Sequence, residues 1–244
     1  MRYFIHLSYK GTNYHGWQSQ TNAHSVQSEL ERALSIILNE EIATTGAGRT
    51  DTGVHATNFF AHFDSQNYET IAQNIDVVLK LNCILPTDIC VYDIKLVADN
   101  AHARFDAKQR TYKYFVNTKK NPFNTEFSTY IPYALDMDAM NEAAQILFEY
   151  TDFMSFAKLH SQTKTNNCRI IFAKWEATAD GLVFTISADR FLRNMVRAIV
   201  GTLIDVGRGK ITANDMRQII EQKNRGKAGT SVPAKGLFLT EILY

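Results

Sequence analysis

The chain has 244 residues, 45% hydrophobic and 21% charged, with 26 Lys+Arg against 25 Asp+Glu and a formal net charge of +1. That is a globular composition: it excludes collagen-like, low-complexity and disordered classes, and the length suits one or two domains. Three cysteines without CxxC spacing (Cys83, Cys90, Cys168) point to reduced thiols in a cytoplasmic protein; no apolar run nears the roughly 18–20 residues of a membrane helix, so no membrane partner is expected.

In chain order, residues 2–9 alternate and predict a strand, and residues 10–24, rich in Gly, Asn and His, a loop. Val26, Leu30, Ala33, Leu34, Ile37 and Leu38 recur at helical spacing behind Ser25, a plausible N-cap. Ile42–Gly48 and His55–Phe63 predict strands, 70–81 a helix, Ile89–Val97 a strand. Arg110–Asn117 predicts a strand with Tyr112, Tyr114 and Val116 on one face, and 138–148 a helix. Arg169–Thr178 and Leu182–Ser187, joined at Asp180-Gly181, predict a hairpin. Helices over 190–204 and 213–222 and a strand over Leu237–Tyr244 complete an α+β chain. Both halves open on a strand, so the expected domains are 1–103 and 104–244.

The near-zero charge is a sum of unequal blocks. Residues 1–94 carry 5 basic and 10 acidic residues, 95–120 carry 7 and 2, 121–188 carry 4 and 8, and 189–227 carry 9 and 4. Two blocks of +5, rich in Arg and aromatics, suit a polyanion, because phosphate contacts need local rather than net positive charge.

Two segments hold candidate chemistry. In Gly46-Ala47-Gly48-Arg49-Thr50-Asp51-Thr52-Gly53-Val54-His55, three glycines and two threonines surround one Arg and one Asp. It is neither a phosphate-binding P-loop nor a calcium loop. It reads either as a tight turn in which Asp51 caps neighbouring amides, or as a rigid turn presenting a carboxylate that acts as nucleophile or base. Along 190–204, Arg190, Arg193 and Arg197 fall at i, i+3 and i+7, a stripe roughly opposite the apolar face and suited to bidentate recognition of phosphate or carboxylate. The histidines form no ligand cluster, so no metal is expected.

Five motifs in order resemble the tRNA pseudouridine synthases of the TruA type, over nearly the whole chain. Tyr9-Lys10-Gly11-Thr12-Asn13-Tyr14-His15-Gly16-Trp17-Gln18-Ser19-Gln20 resembles the family's YxGxxxxGxQxQ opening, and Gly48–Ala56 its GRTDAGVHA loop. His102-Ala103-Arg104-Phe105 with Arg110–Tyr114 resembles HARF and RxYxY, Phe191–Arg197 resembles FLxxMVR, and Pro233–Leu239 resembles PAxGLxL. Thr52, Thr151 and Ser231-Val232 depart from the pattern.

The resemblance implies two α/β subdomains with joined, mostly antiparallel sheets and a catalytic cleft between them. It implies isomerisation of uridine to pseudouridine at positions 38, 39 and 40 of the tRNA anticodon stem-loop, without a cofactor, by a homodimer. Asp51 then matches the catalytic carboxylate, Arg197 its paired arginine, Tyr112 the tyrosine against the base and Leu237 the residue closing the pocket. A stem uridine must leave its stack, and Arg49 is the candidate to fill the gap or to hold the flipped nucleotide. His102, Arg104, Phe105, Arg190 and Arg193, and less directly Gln162 and Lys164, are the expected RNA contacts. A purely RNA-binding module would not need Asp51, Tyr112 and Arg197 together. A glycoside-cleaving enzyme would need a second carboxylate beside Asp51, and its loop has none. A relative acting on other tRNA positions remains the alternative within the family.

Overall fold

A computed structural model describes residues 1–158 and 165–244. The chain divides into two compact units, Met1–Lys108 with Leu239–Tyr244, and Gln109–Phe238. The expected division at 103/104 thus falls at 108/109, and the closing residues return to the first unit.

In the first unit, β1 (Arg2–Tyr9) alternates so that Tyr3, Ile5, Leu7 and Tyr9 are buried. Helix α1 (Val26–Leu38) buries Val26, Leu30, Ala33, Leu34 and Leu38 along one stripe. Its start is a capping box: the Ser28 amide donates to Ser25 Oγ at 3.1 Å and the Ser25 amide to Ser28 Oγ at 3.3 Å. Asn39 closes it in the left-handed region, φ 50°. Then follow β2 (Thr44–Gly46), β3 (His55–Asp64), α2 (Tyr68–Ala72), α3 (Val77–Ile84) and β4 (Ile89–Val97). Strand β1 lies between β4 and β3, antiparallel to both, and β2 pairs with β3. The single helix expected over 70–81 is two. Asp76 takes an extended conformation and its carboxylate accepts the Leu79 amide at 2.9 Å, so it starts a new helix rather than continuing the old one.

The second unit contains β5 (Gln109–Asn117), β6 (Thr129–Tyr130), α4 (Met137–Gln145), β7 (Ile170–Thr178), β8 (Gly181–Ala188), α5 (Met195–Gly207) and α6 (Ala213–Glu221). Strand β8 pairs antiparallel with β5 and β7, and β6 runs parallel to β5. The β7–β8 hairpin and α6 lie close to where the sequence places them. The helix expected over 138–148 runs as α4 and then tightens into a 3-10 turn over Ile146–Glu149. Helix α5 is buried on nearly every side, and at Gly207 it packs against Met140 of α4, whose Cγ would lie 2.7 Å from a Cβ placed there. Strand β9 (Leu237–Leu243) ends in the first unit, beside β3. The fold is therefore α+β, with mostly antiparallel strand pairs.

Gly46 leaves room for a buried tryptophan: a Cβ there would sit 2.4 Å from Trp17 Nε1 and 2.9 Å from Phe59 Cζ, whereas one at Gly48 would meet nothing within 4 Å. Gly46→Ala is expected to lower stability in urea by about 1–3 kcal/mol through overpacking, and Gly48→Ala to stay within about 0.5 kcal/mol.

Candidate active site

The Asp51 loop is tied down through its backbone and its neighbours. The Trp17 amide donates to the Thr50 carbonyl at 3.4 Å, the Gly53 amide to the Tyr14 carbonyl at 3.3 Å, and the Val54 amide to the Asp51 carbonyl at 3.1 Å. Tyr9 Oη and Thr50 Oγ1 share a buried hydrogen bond of 2.9 Å. The Gly11 amide donates to Nδ1 of His55, which is only 1% exposed. Asp51 itself is half-buried between the buried Thr50 and Val54.

Beside this loop lies a pocket of about 80 Å³ lined by Trp17, Gln18, Gln27, residues 44–46, Gly48, Arg49 and Arg104. It brings together two of the sequence-predicted residues, Arg49 and Arg104. Arg49 Nε donates to Gln18 Oε1 at 3.2 Å.

The 102–105 stretch is a local turn. The His102 amide donates to Asp106 Oδ2 at 2.7 Å, and His102 Nδ1 accepts from the Arg104 and Phe105 amides at 3.2 and 3.3 Å. The His102 ring lies 4.2 Å from that of Phe105, which is 74% exposed with the Arg104 guanidinium 5.9 Å from its centroid. An exposed phenyl ring flanked by a guanidinium and an imidazole suits stacking on a nucleobase. Beneath it, His62 Nδ1 accepts the Ala103 amide at 3.1 Å. Burial, then the nearby charges of Arg2 and His102, push the His62 pKa down to about 4.

In the second unit, Tyr112 is half-buried on β5 opposite Ile186, its ring edge-on to Phe191 at 5.2 Å and 90°. The expected helix over 190–204 starts only at Met195, because Asn194 takes the left-handed conformation, φ 66°. Arg190 and Arg193 therefore precede α5, and the expected stripe of three arginines on one helical face does not form. Arg197, in the first turn, donates from Nε to the Val232 carbonyl at 2.7 Å, and the Val232 amide returns a bond to the Arg197 carbonyl at 3.2 Å. Ser231 Oγ accepts from Asn194 Nδ2 and from an Arg225 terminal nitrogen, each at 2.7 Å. Leu237 is buried, 5% exposed. Gln162 and Lys164 lie outside the described residues. Among the described residues no group of three His, Cys, Asp or Glu could hold a metal ion, and no helix is long and apolar enough to cross a membrane.

The family model described as tRNA pseudouridine synthase matches residues 143–244. Over the full chain, this protein is 55% identical to tRNA pseudouridine synthase A of Parabacteroides distasonis, covering 96% of that protein, and 55% identical to that of Bacteroides thetaiotaomicron, covering 90%. The chain belongs to the tRNA pseudouridine synthase A family. It is 41% identical to the member from Thermoanaerobacter pseudethanolicus over 98% of both chains. The family is one of isomerases, so the chain is an enzyme rather than a binding module.

Within each unit, several residues that position candidate side chains carry no signal in the sequence. Gln27 lines the pocket from α1, where it reads as an ordinary polar helical position. Asp189, which the sequence shows only as one acid of the 189–227 block, accepts the Arg169 amide at 2.8 Å and the Arg190 amide at 2.7 Å. Ser231, noted only as a departure from the family pattern, joins the segment before Pro233 to the turn before α5.

Because His62 is neutral in the fold and its unfolded pKa is near 6.5, the unfolded chain takes up the proton first. The stabilisation is complete above about pH 6.5 and is lost as pH falls towards 4. Between pH 7 and 5 the wild type should lose about 2 kcal/mol more stability than His62→Asn, which keeps an acceptor for Ala103 but does not titrate. Urea unfolding at the two pH values measures this, and equal losses would refute it.

Proposed function

We propose that this enzyme isomerises uridine to pseudouridine at positions 38, 39 and 40 in the anticodon stem-loop of tRNA, with Asp51 as the reacting carboxylate. The observation that carries the reading is Asp51, on a loop pinned by its own backbone two residues from Arg49, in a chain 55% identical over its whole length to enzymes named tRNA pseudouridine synthase A. The reaction breaks the N1 glycosidic bond, turns the base and joins its C5 to the sugar, so it needs no oxidant and no energy carrier. Asp51 acts ionised, either on the sugar carbon or on a sugar proton. The family resemblance gives Arg197 as the arginine that pairs with this carboxylate and fixes its direction.

Tyr112 lies against the target base and is the candidate to remove the C5 proton in the last step; Leu237 closes the pocket against the uracil. Flipping the uridine costs a few kcal/mol, and Arg49 holds the flipped nucleotide. His102, Arg104, Phe105, Arg190 and Arg193, with Gln162 and Lys164, carry the RNA by phosphate contact and stacking. The family resemblance also supports a homodimer, and the three free cysteines suit a cytoplasmic enzyme.

Asp51→Ala is expected to bind tRNA as the wild type does and to release no tritium from C5-labelled uridine; full activity would sink this mechanism. Arg104→Ala and Arg193→Ala should each flatten the slope of log affinity against log salt by about 0.7–0.9, the share of one phosphate. An unchanged slope would remove that residue from the RNA surface.

A further inference from the structure

Arg49 is exposed, and a long exposed side chain ordinarily samples many rotamers. Here it ends a chain of hydrogen bonds that begins in the interior of the first unit. Glu31, on α1, accepts the Thr44 amide at 2.7 Å and the Thr44 hydroxyl at 3.1 Å. Gln27, one turn earlier and only 7% exposed, directs Nε2 at two groups that can only accept, Glu31 Oε1 and the Thr44 carbonyl, each at 2.9 Å. Its Oε1 must then face the opposite way, where it accepts from Gln18 Nε2 at 2.8 Å and from the Ser19 amide at 2.9 Å. With its nitrogen spent on Gln27, Gln18 turns its oxygen to Arg49 Nε. A carboxylate and a backbone carbonyl thus set the polarity of two successive amides. Among the described residues, Nε of Arg49 is thus held and its two terminal nitrogens are the donors left to offer an anion. Gln18, Gln27, Arg49 and Arg104 all line the same pocket.

We propose that Gln18 and Gln27 are positioning residues for the reaction, acting through Arg49: the Glu31–Gln27–Gln18 relay fixes the guanidinium at the pocket so that it meets the backbone phosphate of the displaced nucleotide without first losing rotamer freedom. This rests on the role given above to Arg49. Pre-ordering such a group lowers the cost of reaching the reactive geometry and not the cost of first contact, so its signature lies in kcat more than in KM.

A double-mutant cycle tests it, using pseudouridine formation on whole tRNA with the full-length enzyme. Gln18→Met keeps the length of the side chain and removes the amide. The expected result is a kcat reduced on the order of tenfold, KM changed by less than about twofold, and a melting temperature within about 5 °C of wild type. In an Arg49→Met background the same substitution should change kcat by less than about twofold, since the group it positions is gone. Should Gln18→Met melt earlier than that, Gln18→Ala, which removes the amide without a thioether, carries the same comparison. An equal loss from Gln18→Met in both backgrounds, or no loss in the wild-type background, overturns the relay while leaving the role of Arg49 standing. An Arg49→Met enzyme with wild-type kcat removes the role of Arg49 and the relay with it, and leaves Asp51 untouched.

Discussion

The first unit depends on the close approach of two backbones, the 9–17 loop and the 50–55 loop. A Cβ on Gly11 would lie 2.0 Å from the Val54 carbonyl oxygen, and one on Gly16 would lie 2.2 Å from that of Thr50, where Gly16 also sits at φ 92°. No L side chain fits either position. Because the two segments meet through main-chain atoms, the bonds from Trp17 to Thr50 and from Gly53 to Tyr14 have no rotamers to lose. The carboxylate of Asp51 therefore rides on a turn fixed on both sides, which is what the role proposed for it requires.

The second unit uses the same device with different residues. Gly201 of α5 packs so closely on the 225–233 segment that a Cβ would lie 1.9 Å from the Thr230 carbonyl oxygen. The Gly229 amide donates to Thr202 Oγ1 at 2.9 Å, and Arg225 lies folded over the segment, donating to the Gly229 carbonyl at 3.2 Å and to Ser231. Arg197 and Val232 exchange two further bonds. The first turn of α5 and the residues leading to Leu237 are thus one assembly, so that Arg197 and Leu237 are positioned by a common scaffold.

Much of this was legible because it is periodic or local. The stripe of α1, its Ser25 cap, the alternation of β1 and the β7–β8 hairpin follow from spacing and turn chemistry. The motifs carrying Asp51, Tyr112 and Arg197 were legible as a resemblance in order along the chain. What stayed hidden depends on partners distant in sequence or on single backbone torsions. Asp76 splits one helix into two by capping, and Asn194 delays α5 by one left-handed residue; both positions are compatible with a helical pattern of side chains. Gln18 and Gln27 acquire meaning only when Glu31 and Thr44 orient them, a relation that no periodicity encodes. Their contribution to the site is geometric, and a sequence shows only that two amides are present.

The division of the chain also bears on how it is made. Residues 239–244 complete the first unit: the Leu243 carbonyl accepts the Lys108 amide at 2.7 Å, Tyr244 Oη donates to the Ala103 carbonyl at 2.9 Å, and the Tyr244 ring lies 5.3 Å from Phe4 and 5.6 Å from Phe60. A ribosome delivers Met1–Lys108 long before those residues. The edge of β3 that β9 covers, and the rings of Phe4 and Phe60, must wait through the synthesis of the whole second unit. The half of the protein translated first is thus the half completed last.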